Sequence, residues 1–275
     1  MSHKVTTIIK SDKAVANNES RLSICLLANG FSFSIIASHD EIVLFAEVEF
    51  DFNIPLGILS QSIKDFFAQN NISTFGFKQA TLAVLSDDFV WVPEHLHEPV
   101  RNRQYLQMVS KPALDSGIYH IAVPHLHSMM VFTAPATVVT AFKLAIPGID
   151  VHCQHSILAS HSLLKKSALH PVLLMHVRDR VGDFEAFYNN QLLLSNSFSA
   201  SNENELLYRA IELMKQLHLE TPDMELAICG NVGREIYSLL QHYFPNVSLY
   251  TGHPFTFTNP QFHTLPTYKH IMLFS

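Results

Sequence analysis

An α/β protein of two lobes, with a small subdomain inserted into the first, is the architecture this sequence predicts. Hydrophobic residues make up 48% of the 275 residues and charged residues only 15%. That is enough apolar material for a packed core and too little charge for a disordered or fibrous chain. The length suits one large domain or two modest ones. One pattern (strand, strand, strand, helix, strand) occurs twice, opening at Leu22 and again at Pro171.

In the first copy, residues 22–28 (LSICLLA) form a short apolar run. Asn29-Gly30 follows, the strongest two-residue hairpin signal. Residues 31–37 (FSFSIIA) alternate with period two, as a strand with one buried face does. After a polar turn, residues 42–52 read as a third strand. Pro55 suits the first turn of a helix in which Ile58, Leu59, Ile63, Phe66 and Phe67 recur at helical spacing. Residues 81–85 (TLAVL) close the copy as a buried strand. In the second copy, residues 171–177 (PVLLMHV), 183–188 (DFEAFY) and 191–198 (QLLLSNSF) are the strands, joined by a polar turn and by Asn189-Asn190. Residues 201–204 cap a helix whose Leu206, Leu207, Ala210, Ile211, Met214 and Leu217 share one face. Residues 225–229 (ELAIC) are the closing strand, followed by a helix at 232–244 and a strand at 247–250.

Between the copies, residues 88–126 are rich in Pro and His and are expected to form an irregular inserted subdomain. Residues 129–133 read as a strand, 135–145 as a helix led by Pro, Pro147-Gly148 as its stop and 149–152 as a strand. Residues 156–166 read as a linker helix ending in basic residues, as the helix dipole prefers. His152, Cys153 and His155 are read as capping and packing residues where that helix begins. The lobes are therefore expected at 1–168 and 169–275, with a tail from 251 that shows no period.

The charge balance, 18 basic against 24 acidic residues, excludes the basic stripe that nucleic-acid binding needs. Cys25, Cys153 and Cys229 each lie in an apolar run, and no CxxC pair exists. Buried thiols are expected, rather than a disulfide framework or zinc ribbon. No stretch reaches the roughly 18 unbroken apolar residues of a membrane helix. Residues 1–13 have no apolar leader region, so a cytoplasmic setting is expected.

The duplicated meander with alternating helices and strands resembles the actin-like ATPase superfamily, whose fold is a duplicated ribonuclease H-like one. Within it, the chain looks most like the pilus-assembly and secretion-platform branch. Val131-Phe132-Thr133-Ala134-Pro135, Gly148-Ile149-Asp150 and residues 156–164 carry that likeness. The opening RLSICLLANGFSFSII also resembles an uncharacterised Bacteroidetes-type family, domain of unknown function 3822, which implies the same fold and no particular activity.

The superfamily resemblance implies a nucleotide cleft built from three motifs, and this chain departs at each. A first phosphate loop of the form Asp-x-Gly is matched by Ala28, Asn29 and Gly30. A second is matched by His176, Val177 and Arg178, with a later acidic position kept as Asp183. A pair of glycines at the adenosine is matched by Gly230-Asn231-Val232-Gly233. The degenerate cleft so implied consists of Gly30, Arg178, Asp183, Gly230, Asn231 and Gly233. Phosphoryl transfer needs a metal held by carboxylates and bare backbone beside the phosphates. Ala28 offers no ligand. Arg178 adds bulk, although its guanidinium could itself bind a phosphate. No catalytic residue, metal or cofactor is therefore expected, with bound ATP and Mg²⁺ as the alternative.

His95-Leu96-His97 and His125-Leu126-His127 pair imidazoles at i, i+2, near Glu94 and Glu98. On one strand face such pairs share a metal or simply form a polar edge. G-x-S-x-G and Walker motifs are absent. Trp91, Phe89 and Pro93 read as a strand packing on its own subdomain, with a recognition surface as the alternative. The expectation is a non-catalytic binding or scaffold protein with a protein or peptide partner, a homodimer included. Its contact surfaces would be the region 88–126 and the cleft. The alternatives are a nucleotide-binding protein or weak ATPase, and a histidine-rich metal protein.

Overall fold

In the computed structural model, which describes residues 4–11, 19–72, 76–113, 116–164, 170–219, 224–252, 255–257 and 259–274, the repeated pattern becomes two sheets of the same topology. The first copy supplies β1 (Lys4–Lys10), β2 (Arg21–Leu27), β3 (Gly30–Ile36), β4 (Glu41–Glu49), α1 (Leu56–Gln69) and β5 (Gln79–Val84). The insertion follows as β6 (Phe89–Pro93), α2 (Asn102–Gln107), β7 (Ser116–Val123) and β8 (Ser128–Pro135). Next come α3 (Ala136–Ala145), β9 (Asp150–Cys153) and α4 (Gln154–Leu164). The second copy is β10 (Val172–Arg178), β11 (Val181–Tyr188), β12 (Gln191–Ser199), α5 (Glu203–Gln216), β13 (Glu225–Gly230), α6 (Arg234–Tyr243) and β14 (Val247–Leu249). A short β15 (Thr256–Phe257) lies in the tail.

The first sheet runs β1-β4-β3-β2-β5-β9, and the second β12-β11-β10-β13-β14. Leaving β1 aside, each has the order third, second, first, fourth, fifth. In each, the first three strands pair antiparallel and the last two add in parallel. The strand β1 was not expected. Its sequence KVTTIIK alternates, and it adds antiparallel to β4 at the sheet edge.

Contacts divide the chain into two compact units. One comprises Met1–Gln154, Pro254–Leu265 and Met272–Phe274; the other comprises His155–His253, Pro266–Ile271 and Ser275. The division lies at 154/155, where the sequence suggested 168/169, and the tail contributes to both units. In the first unit, Phe31 on β3 meets Phe66 of α1 edge-on at 5.5 Å and Phe142 of α3 edge-on at 5.4 Å. Of the α1 residues whose helical spacing was legible, Leu59, Ile63, Phe66 and Phe67 are buried and Ile58 is exposed. Gly30 closes the β2–β3 hairpin at φ +155°, and a Cβ there would lie 1.9 Å from the Val48 carbonyl oxygen. Glycine is therefore obligatory for packing β3 on β4.

The insertion is more regular than its composition suggested, and extends through β8. It is a three-stranded antiparallel sheet, β6-β8-β7. The prolines fall at strand ends (Pro93, Pro135) and in the turn Pro124–Leu126, where a missing N–H is tolerated. Leu106 of α2 is buried against Val92 and Val131. Four apolar side chains of this subdomain are exposed, Val100 at 90%, Met108 at 81%, Val109 at 60% and Leu96 at 58%. The tail lacks regular periodicity because it is built from short turns. Phe262, Leu273 and Phe274 anchor it as buried side chains, and the Ser34 hydroxyl donates to the Leu273 carbonyl at 2.9 Å. Cys25, Cys153 and Cys229 are buried, as their apolar runs suggested. Among the described residues, no helix is long and apolar enough to cross a membrane.

Candidate functional site

Strand register in the second unit lines up a row of polar side chains. Cys229 on β13 stands opposite His176 on β10, His176 opposite Asp183 on β11, and Asp183 opposite Ser197 on β12. One rung further, Glu185 stands opposite Ser195. Side chains two apart on a strand share a face. Arg178 therefore lies on the face of His176, and Glu185 on that of Asp183. The opposite face, with Leu173, Met175, Val177, Phe184 and Ala186, packs into the apolar core with α5 and α6. His155 joins the polar row from the first turn of α4.

Asp183 is fully buried, and both of its oxygens are engaged. Arg178 binds it in a two-pronged pair, Nη2 to Oδ1 at 2.6 Å and Nε to Oδ2 at 2.9 Å. His176 Nδ1 lies 2.9 Å from Oδ2, and the Ser197 hydroxyl donates to Oδ1 at 2.6 Å. Burial raises the pKa of Asp183, but the His176 hydrogen bond and the charges of His155, His176 and Arg178 outweigh it. They hold the carboxyl well below the usual carboxylate range. Its neighbour behaves in the opposite way. Glu185 is also fully buried, with Oε1 2.5 Å from His155 Nδ1 and accepting from the Ser195 hydroxyl at 2.9 Å. Burial dominates here and, with the negative charge of Asp183 adding to it, pushes the carboxyl up to about 7. Burial and the Asp183 charge likewise push the Cys229 thiol upward.

The remaining cleft residues lie at the ends of the same strands. Gly230 ends β13 at φ +85°, and a Cβ on it would sit 2.3 Å from the Val177 carbonyl oxygen and 2.7 Å from His176 Cδ2. Asn231 N donates to that same carbonyl at 2.7 Å. Gly230→Ala is therefore expected to destabilise the protein by about 1–3 kcal/mol, through backbone strain and displacement of β10. Gly233→Ala should be near neutral. Gly233 caps α6 at φ −75°, with nothing within 4 Å of its would-be Cβ. Chemical denaturation of the two variants checks the contrast. A cavity of about 310 Å³ lies at these strand ends, lined by Arg178, Asp179, Arg180, Asn202, Asn231 and Gly233 among others. Gly30 belongs to the first unit, at the hairpin already described.

The two implied phosphate loops do not occupy matching positions. Ala28 and Asn29 form the turn of the β2–β3 hairpin, which closes with Leu27 opposite Gly30. The corresponding β10–β11 hairpin closes with Arg178 opposite Val181, so its turn is Asp179-Arg180, and His176-Val177-Arg178 lies in the strand. By hairpin correspondence, Asp183 and Glu185 match Ser32 and Ser34 on β3. The first hairpin thus carries no carboxylate at those places either.

Glu185, Ser195, Ser197 and His155 were not singled out as site residues. The alternations Asp183-x-Glu185 and Ser195-x-Ser197, in otherwise apolar strands, were the available signal for one polar face. The histidine pairs of the insertion do not gather. His97 Nε2 lies 2.8 Å from Asn102 Oδ1, and Asn102 Nδ2 lies 2.9 Å from His120 Nδ1, while His127 adopts a turn at φ 47°. Among the described residues, no group of three or more His, Cys, Asp or Glu is arranged to hold a metal ion.

The chain is similar to a Bacteroides thetaiotaomicron protein with actin-like ATPase fold and unknown function. The TM-score is 0.71 at 20% identity, covering 85% of this chain and 91% of that one. It is also similar to a structure of the PilM-PilN type IV pilus biogenesis complex, with a TM-score of 0.56 at 12% identity over 92% of this chain and 94% of that one. No curated protein matches it. A model of the family described as protein of unknown function (DUF3822) matches residues 10–247, so the chain belongs to that family and has the actin-like ATPase fold.

Proposed function

We propose that this protein is a non-hydrolysing binding or scaffold module on an actin-like fold, working in the cytoplasm with a protein or peptide partner. The observation that carries the reading is the engagement of Asp183, the acidic residue of the second implied loop. Its oxygens are already occupied by Arg178, His176 and Ser197. Coordinating Mg²⁺ through Asp183 would require breaking a buried, bidentate ion pair. Ala28 has no ligand to offer from the first hairpin. Support for a partner is the run of exposed apolar side chains between Leu96 and Val109. PilM, a fold neighbour, is seen in complex with PilN.

The second reading, nucleotide binding without efficient turnover, is favoured by the cavity beside Arg178 and Arg180 and the start of α6. Thermal melts with Mg·ATP separate the two. A ligand at a hundred times its Kd would stabilise the fold by about 2.7 kcal/mol, so a clear upward shift would overturn the first reading. The expected result is no shift, and no phosphate release above the background of a heat-denatured control.

A further inference from the structure

The hydrogen bonds that Ser195 and Ser197 make around His155 leave one proton position open. Asp183 is ionised, so the single hydrogen of the Ser197 hydroxyl must occupy the 2.6 Å contact to Asp183 Oδ1. Ser197 can then only accept at its 2.8 Å contact with His155 Nε2, which fixes a proton on Nε2. The Ser195 hydroxyl donates to Glu185 Oε1. What is left is the 2.5 Å gap between His155 Nδ1 and Glu185 Oε1. One proton there, on either atom, makes a strong hydrogen bond. With none, a nitrogen lone pair and a carboxylate oxygen face each other across a distance shorter than two acceptors tolerate.

We propose that this single shared proton is a clamp that fastens the first turn of α4 to β11, and that its loss releases that turn. The groups that face the gap are Asp183 on β11, His176 and Arg178 on β10, Ser195 and Ser197 on β12, and Cys229 on β13 behind His176. Of their charges, Arg178 and Asp183 neutralise each other in the ion pair. With the proton held, His155 and Glu185 together carry no net charge. Without it, Glu185 holds a buried negative charge close to that of Asp183, which burial disfavours. A second proton leaves the bond between Nδ1 and Oε1 in place, because Glu185 Oε2 is buried with no hydrogen-bond partner and can receive it. The clamp is therefore one-sided, opening on the alkaline side only. The elevated Glu185 pKa, about 7, sets the opening near neutrality. His155 is the first residue of the second unit, and all groups of the device belong to that unit.

Amide exchange of residues 156–160, expressed as protection factors to remove the intrinsic base catalysis, tests this on the intact chain. Protection should fall by about tenfold or more between roughly pH 6 and pH 8.5. In Glu185→Gln, whose amide N–H can donate permanently to His155 Nδ1, protection should stay level over the same range. Level protection in the wild type, or an equal fall in the variant, would overturn the clamp. Difference infrared spectra of the wild type provide a readout that needs no variant. A band of the protonated pair, carboxylic acid for a proton on Glu185 or imidazolium for one on His155, should vanish over the same pH interval, and the absence of both at low pH would equally refute the proposal.

Discussion

Replacing Asp183 with Ala is expected to cost about 3–5 kcal/mol, the usual penalty for removing one partner of a buried ion pair. The loss comes chiefly from what remains. The Arg178 side chain is only 15% exposed, and would keep its charge after losing both contacts to Asp183. His176 Nδ1 and the Ser197 hydroxyl would lose their common acceptor at the same time. Leaving each buried donor unmatched costs more than the bond it once made. Asp183→Asn keeps the shape and one carbonyl oxygen but not the charge, so it should fall between wild type and Ala. Hydrogen exchange across β10, β11 and β12 is the suitable readout. The one tryptophan, Trp91, lies in the other unit and reports on that unit instead. An Ala variant within about 1 kcal/mol of wild type would mean that Arg178 finds another anion, and that Asp183 is less committed than its geometry indicates. The reading of this protein as a non-hydrolysing module would then lose its main support.

The duplicated topology was legible because each strand is a short apolar run ended by turn chemistry, such as Asn29-Gly30 and Asn189-Asn190. Period-two alternation identified β3, and the apolar stripe of α5 identified its buried face. The strand β1 escaped notice because an edge strand with exposed Lys4 and Lys10 buries little and has only its alternation to betray it. The insertion looked irregular because proline density argues against strands, yet Pro93 and Pro135 stand at strand ends where no ladder hydrogen bond is lost. The site was legible only at Asp183 on β11 and at His176 and Arg178 on the neighbouring β10. Which serine faces which acid depends on pairing register between strands, and His155 arrives from a helix that precedes both. Neither relation has a local signature. The two implied loops are offset by three residues relative to their hairpins, since only pairing shows that Val181, not Arg178, is the counterpart of Gly30.

Replacing Glu185 with Gln is expected to stabilise the protein at alkaline pH and to change little at acid pH. The sign follows from linkage. A carboxyl raised from 4.5 to about 7 binds more protons in the folded chain than in the unfolded one. Its contribution is therefore fully present below about 4.5 and is lost as pH rises through about 7. For a fully buried group, that interval corresponds to roughly 3 kcal/mol of lost stability, an order-of-magnitude figure. Other groups obscure this slope in the wild type. Burial, aided by the charge of Lys269, lowers His270 to about 4, so its contribution is lost as pH falls from its ordinary 6.5. Asp183, depressed below its ordinary 3.8, loses its contribution only in stronger acid. The His270 and Glu185 slopes oppose each other between about 4.5 and 6.5, and His120, His125 and His152, all lowered by burial, act in the same sense as His270, so the wild-type profile does not isolate Glu185. The difference between variant and wild type isolates Glu185, because His270 and Asp183 are common to both. That difference should be near zero around pH 5 and grow to a few kcal/mol in favour of Gln by about pH 9. A constant difference across the range would show that the Glu185 carboxyl does not titrate near neutrality. A Gln variant less stable than wild type at pH 9 would show that the charged form is stabilised by contacts beyond Ser195 and His155.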